Sequence, residues 1–286
     1  MQETANSRRY LAFAAVLALA SSGAAATAQT PVASTQATNQ PSYADIADLG
    51  DSASLVVRVK VKKHAEVEAA RAPGLRPGFA RLFIEADTVS LLAGNVPVGG
   101  SLKYLVDVPR DSKGRVPKLR KQEFLVFAKP VPNRPGELQL VDPQAQIAWS
   151  PEAEQRVRPI LAGLYAPDAL PAVTGIRDAL SVAGNLAGES ETQIFLRTRD
   201  QSPLALTIIR RPGMAPVWGY SQSEIVDQAA LAPRRDTVAW YRLACSLPAT
   251  LPPGANLASD ARSQQQAVAD YAFVLEQLGR CERNRS

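Results

Sequence analysis

The chain has 286 residues, 46% of them apolar and 21% charged, with a formal net charge of +5. That length is a prior for two domains, and that composition belongs to a globular chain able to build real cores. Outside the N-terminus no apolar run reaches the roughly 18 residues of a membrane helix, which excludes an internal span.

The first residues read as a processing signal. Arg8 and Arg9 form a positive start, Leu11 to Ala20 a short apolar core, and Ala26-Thr27-Ala28 the small residues a signal peptidase reads. Residues 1–28 are therefore expected to be a signal peptide cleaved before Gln29. Ser7-Arg8-Arg9 resembles a twin-arginine signal, but Leu11 and Ala12 match the following positions poorly, so general secretion is the better fit. The expected product is exported, with the bacterial periplasm as its compartment and no transmembrane segment after processing. Such a chain meets little nucleic acid.

Residues 29–47, rich in Thr, Ala, Gln and Ser, lack hydrophobic period and are expected to be a disordered lead-in. Residues 48–166 form a β-rich domain with a trailing helix. In 55–62, apolar residues alternate with Arg58, Lys60 and Lys62, the period of a half-buried strand. Further strands are expected over 81–89, 104–108, 123–129 and 137–141, separated by Gly/Pro breaks. Ser150-Pro151-Glu152 starts a helix running toward Tyr165, with a kink at Pro159. A linker over 166–171 leads to a second domain, 172–286. It is read as a helix (173–183), a hairpin (192–198 with 204–210), a short helix after the Ser221-x-x-Glu224 capping box, a helix over 237–246 capped by Asp236, and a last helix from Ser259 to Cys281. In that last helix Val268, Tyr271, Leu275, Leu278 and Cys281 share one face, the expected core side.

The fold class is thus α+β: a small N-terminal antiparallel β-barrel or sandwich, then an α+β domain with a hairpin and several helices. An OB-like barrel fits the strand count. It fits less well that the connection between strands three and four carries no helix.

Cys245 and Cys281 are the only cysteines. Both fall on inward helical faces, and in an oxidising compartment they point to one disulfide joining those helices. His64 is the only histidine, so the common zinc sites lack their ligands, and no GxSxG elbow supplies a serine for a triad around it. It reads as an exposed side chain among charges. No phosphate loop, dinucleotide fingerprint or calcium loop is present, and no cofactor or metal is expected. Glu85, Asp87, Asp107 and Glu123 lie scattered on strands; as a converging set they would suit a hydrolase, but solvated strand faces and ordinary ion pairs are the better-supported reading. Trp218, Trp240 and Tyr241 read as core packing.

The densest chemical feature is the connection after the third strand. Arg110, Lys113, Arg115, Lys118, Arg120 and Lys121 face one acid, Asp111, within twelve positions, and the Asp111–Gly114 turn and Pro117 exclude a helix there. Such a patch suits phosphates, acidic glycans or an acidic protein; a solvated hairpin loop is the plainer alternative. No aromatic residue accompanies it in 109–122, so base stacking is not expected. The resulting expectation is an exported envelope protein, a non-catalytic binding or structural module whose basic loop meets an anionic envelope component or an acidic partner. The competing expectation is a periplasmic hydrolase of cell-wall or glycan substrates using carboxylates or a Ser–Lys pair.

Overall fold

The computed structural model describes residues 40–94, 96–223 and 231–285. The expected signal peptide, most of the lead-in and the short helix begun by Ser221-x-x-Glu224 lie outside them.

The first element is α1 (Tyr43–Ser52). Its first five residues, 43–47, fall in the span read as a disordered lead-in. Ser42 and Asp45 form a reciprocal capping box: Asp45 N donates to Ser42 Oγ (3.1 Å) and Ser42 N to the Asp45 carboxylate (2.7 Å). Ile46 and Leu49 are buried, so tertiary packing stabilises a helix too short to stand alone.

The barrel follows: β1 (Leu55–Glu66), β2 (Phe79–Gly94), β3 (Ser101–Pro109), β4 (Glu123–Pro130) and β5 (Glu137–Leu140). Its order is β1-β2-β3-β5-β4, and β4 pairs back onto β1, closing the ring. All pairs are antiparallel except β3 with β5, which is parallel. This is a closed five-strand barrel in OB-like order; all five expected strands recur in it, with starts as expected at 55, 123 and 137, while β2 and β3 begin two and three residues earlier than read. In β3, Leu102, Tyr104 and Val106 are buried, whereas Ser101, Lys103 and Leu105 are exposed. One face of the strand thus lines the interior and the other meets water. β6 (Gln146–Ala148) pairs with Phe124–Val126 of β4, before the stretch that β5 pairs, and α2 (Pro151–Leu164) starts at the expected cap, with Ala153 N donating to Ser150 Oγ.

Residues 173–183, read as a helix, are the strand β7 (Val173–Ala183). Their buried positions include Val173, Ile176 and Ala179, a spacing of three that imitates a helical stripe. Two register shifts against β8 (Ser190–Thr198) produce it, because each bulge inserts a residue and turns period two into three. β9 (Ala205–Arg210) and β10 (Val217–Ser221) complete an antiparallel sheet in the order β10-β9-β8-β7. α3 (Val238–Ala244) is capped by Thr237, whose Oγ1 accepts from Trp240 N at 3.2 Å, and not by Asp236.

α4 (Ala261–Leu278) packs on β7 and β8, and buries Ala267, Asp270, Tyr271, Val274 and Leu278. Val268, placed on the core face by periodicity, is half exposed. The buried stripe is turned toward Asp270, whose carboxylate receives Thr192 Oγ1 and Arg210 Nε.

The described residues form one compact unit with a single continuous core. The acids of α1 contact residues far along the chain. Asp48 accepts from Tyr241 (2.7 Å) and Arg283 (2.6 Å), and Asp51 accepts from Arg242 (2.5 Å). Trp240, Tyr241 and Trp218 lie in the core, as expected. Cys245 and Cys281 are disulfide-bonded, their Cα atoms 5.1 Å apart.

Candidate anion-binding surface

The basic connection between β3 and β4 is built rather than loose. Asp111 organises its first half: its carboxylate accepts from Lys113 N (2.8 Å), Arg115 N (2.9 Å) and Arg115 Nε (2.8 Å). Those donors, the Arg115 amide foremost, hold the Asp111 carboxyl below its usual range. Gly114 takes φ 73°, the left-handed conformation that closes the turn without a Cβ penalty. In the second half Leu119 is buried and Val116 packs against the core, an apolar anchor inside a cationic segment. The end is stitched to β1, with Lys121 N donating to Val61 O (2.8 Å) and Val61 N to Gln122 O (2.9 Å).

The six cations divide into two groups. Arg110 is tied to the Glu66 carboxylate and donates to Phe79 O and Gly114 O, while Arg115 is tied to Asp111. Lys113, Lys118, Arg120 and Lys121 are exposed and have no acid partner among the described residues. Neighbouring strands differ. Lys62 meets Asp87 at 3.1 Å, Lys63 meets Glu85 at 3.0 Å, and Arg81 grips Asp107 with two bonds of 2.7 and 2.8 Å. Arg58 and Lys60 share Glu123. These five wall cations are thus locally neutralised, while the loop keeps uncompensated charge.

The same pairs settle where the four strand acids stand. They do not converge on one another; each is engaged by a cation on an adjoining strand. The hydrogen bond from Arg58 leads in holding the Glu123 carboxyl below its usual range, opposite to what a general acid requires. His64, expected to be exposed, is half-buried, with Nδ1 buried and without a hydrogen-bond partner. It pairs with Ile84, a fully buried residue, and directly paired side chains share a face.

Sequence reading missed the aromatic surface beside the loop. On β2, Ala80, Leu82, Ile84 and Ala86 are buried; Phe79 and Phe83 fall in the opposite, outward phase. Phe83 is 37% exposed, and Leu105, directly across on β3, is 47% exposed. Aromatic residues in the wet phase of an alternating strand were the signal available.

Fold and surface together define an α+β protein in which a closed five-strand barrel carries a stiff cationic loop and is joined to a four-stranded sheet. Its sequence matches no known family model and no curated protein.

Proposed function

We propose that the chain is an exported envelope protein acting as a non-catalytic binding module, with the 110–121 loop as its contact for an anionic partner or surface. The observation that carries this reading is the set of four exposed cations, Lys113, Lys118, Arg120 and Lys121, on a loop whose backbone is fixed by hydrogen bonds and a buried leucine. A pre-ordered loop loses little conformational entropy when it meets an anion. Unpaired cations at its surface add little to folding, so their energetic use lies in association. The disulfide supports a compartment outside the reducing cytoplasm. The carboxylate form of the hydrolase alternative has less behind it, since the four acids it would use are spent in ion pairs.

The test is a fourfold replacement of Lys113, Lys118, Arg120 and Lys121 by Gln. Its melting temperature should stay within about 2 °C of wild type, because exposed unpaired charges contribute only tenths of a kcal/mol. Retention on an anionic polymer resin should fall, and wild-type retention should weaken with salt. Equal retention of both proteins at low salt would refute the loop's role. Export is checked separately by mass spectrometry of the secreted fraction, where the chain should begin at Gln29.

A further inference from the structure

The outer side of β1, β2 and β3 arranges side chains in rows. Phe83 stands between Ala65 on β1 and Leu105 on β3. Two positions toward the loop Arg81 holds Asp107, and two further Phe79 faces Pro109, with the Arg76 guanidinium 4.5 Å from its ring centre. Phe79 and Phe83 therefore flank Arg81 on one strand face, about 13 Å apart at strand rise. In the next row away from the loop Lys63 is paired to Glu85, and Lys103 has no acid partner among the described residues. The face runs into the cationic loop at Arg110. Residues 62–123 hold twelve Lys/Arg against seven Asp/Glu, an excess as large as the +5 of the whole chain.

We infer that this face and the loop form one site for an anionic polysaccharide, an inference resting on the reading of the loop as an anion contact. The Phe83 ring and Leu105 pack against the apolar faces of sugar rings, while Lys103 and the loop cations meet the charged groups. Two observations favour a glycan over other polyanions. Over Leu82–Asp87, β2 is hydrogen-bonded on both sides, so the middle of the face offers no free edge for a peptide strand to extend. The disulfide points to an oxidising compartment, where polyanions are glycans far more than nucleic acids.

The experiment follows binding of fluorescently labelled polygalacturonate to the full chain by anisotropy at low salt, with unlabelled dextran, oligo-dT and polyglutamate as competitors. Three variants are compared: Phe83→Ser with Leu105→Ser, Lys103→Gln, and the fourfold Gln loop variant. The wild type should bind polygalacturonate and ignore dextran. The double Ser variant should lose about tenfold in affinity, in line with the loss of one ring contact. Lys103→Gln, a conservative change at an exposed position, should lose several-fold and reduce the salt dependence; it tests the face even if the double variant misfolds. Wild-type affinity in both face variants, with loss only in the loop variant, would overturn the shared site and leave the loop reading standing. No loss in any variant would overturn both. No binding by the wild type, or competition by oligo-dT or polyglutamate as strong as by unlabelled polygalacturonate, would overturn the glycan assignment.

Discussion

Gly50 sits where α1 meets α2, and a Cβ there would lie 2.9 Å from side-chain carbons of both Leu161 and Leu164. Two effects oppose each other on changing it to Ala. Helix propensity favours Ala by about 1 kcal/mol, whereas overpacking a filled core costs about 1–3 kcal/mol. Both leucines are buried in the core and have little room to yield, so overpacking wins. Gly50→Ala should lower unfolding free energy by about 1 kcal/mol in urea titration; a gain would show that α2 moves freely. On the same helix the hydrogen bond from Arg242 leads in holding the Asp51 carboxyl below its usual range, against the opposing effect of burial. A carboxyl depressed in the folded state stabilises it fully above the unfolded value near 4, and that contribution disappears as pH falls through the folded value. Asp51→Asn leaves Arg242, itself buried, without its anion and should cost about 2–3 kcal/mol at pH 7, less than a fully buried pair because Asp51 is partly exposed. The difference from wild type should be flat from pH 7 down to about 4 and shrink below it. A gap that stays constant to pH 2 would mean the ion pair is not its source.

At the scale of elements, legibility followed how regular the apolar pattern of a segment is. β1 to β3 alternate over most of their length, and β4 is an unbroken apolar run closed by Pro130, so all four can be read from side chains alone. β7 cannot, because its bulges move the inward positions to 173, 176 and 179; only the paired strand β8 reveals that they line a sheet. α1 was lost for a different reason. The polar tract before it hid a complete capping signal, Ser42 three residues ahead of Asp45, followed by Ile46 and Leu49. The cationic loop was visible as composition, but not which of its charges are free. Arg110 is neutralised by Glu66, 44 positions away, and no local rule announces that. The cap of α1 gives a prediction at this scale. Ser42→Ala removes one side-chain acceptor and should cost about 1 kcal/mol. Asp45→Ala should cost about 2–3 kcal/mol, because its buried carboxylate also accepts from Asn284 N (2.9 Å) and Arg285 N (3.3 Å), leaving more donors stranded. Thermal unfolding of the two variants should rank them in that order; equal losses would show that the tail contacts carry no energy.

At the scale of the whole molecule the C-terminal segment ties the two halves together. Cys281 is bonded to Cys245 at the end of α3; beyond it Arg283 reaches Asp48, the amides of 284 and 285 reach Asp45, and the Arg285 guanidinium reaches Asp142 and Gln144 O in the barrel's β5–β6 connection. The disulfide closes a loop of 36 residues, for which chain entropy gives roughly 3–4 kcal/mol. Cys245→Ser, Cys281→Ser and the double variant should therefore lose the same stability, since each breaks one bond. The tail contacts are short-range and partly exposed, and they need the chain held near α1. With the bond cut, the segment after 280 gains freedom, and contacts to Asp45 and Asp48 must offset that entropy alone. Asp45→Ala should accordingly cost less in the Cys245→Ser background than in wild type, because part of what it removes is already weakened. Limited trypsin digestion should show the same coupling, with Arg280 and Arg283 cut faster once the disulfide is reduced. If the Asp45→Ala loss is identical in both backgrounds and the cleavage rate at these arginines is unchanged on reduction, the tail is held by its own contacts and the disulfide acts only on the unfolded chain.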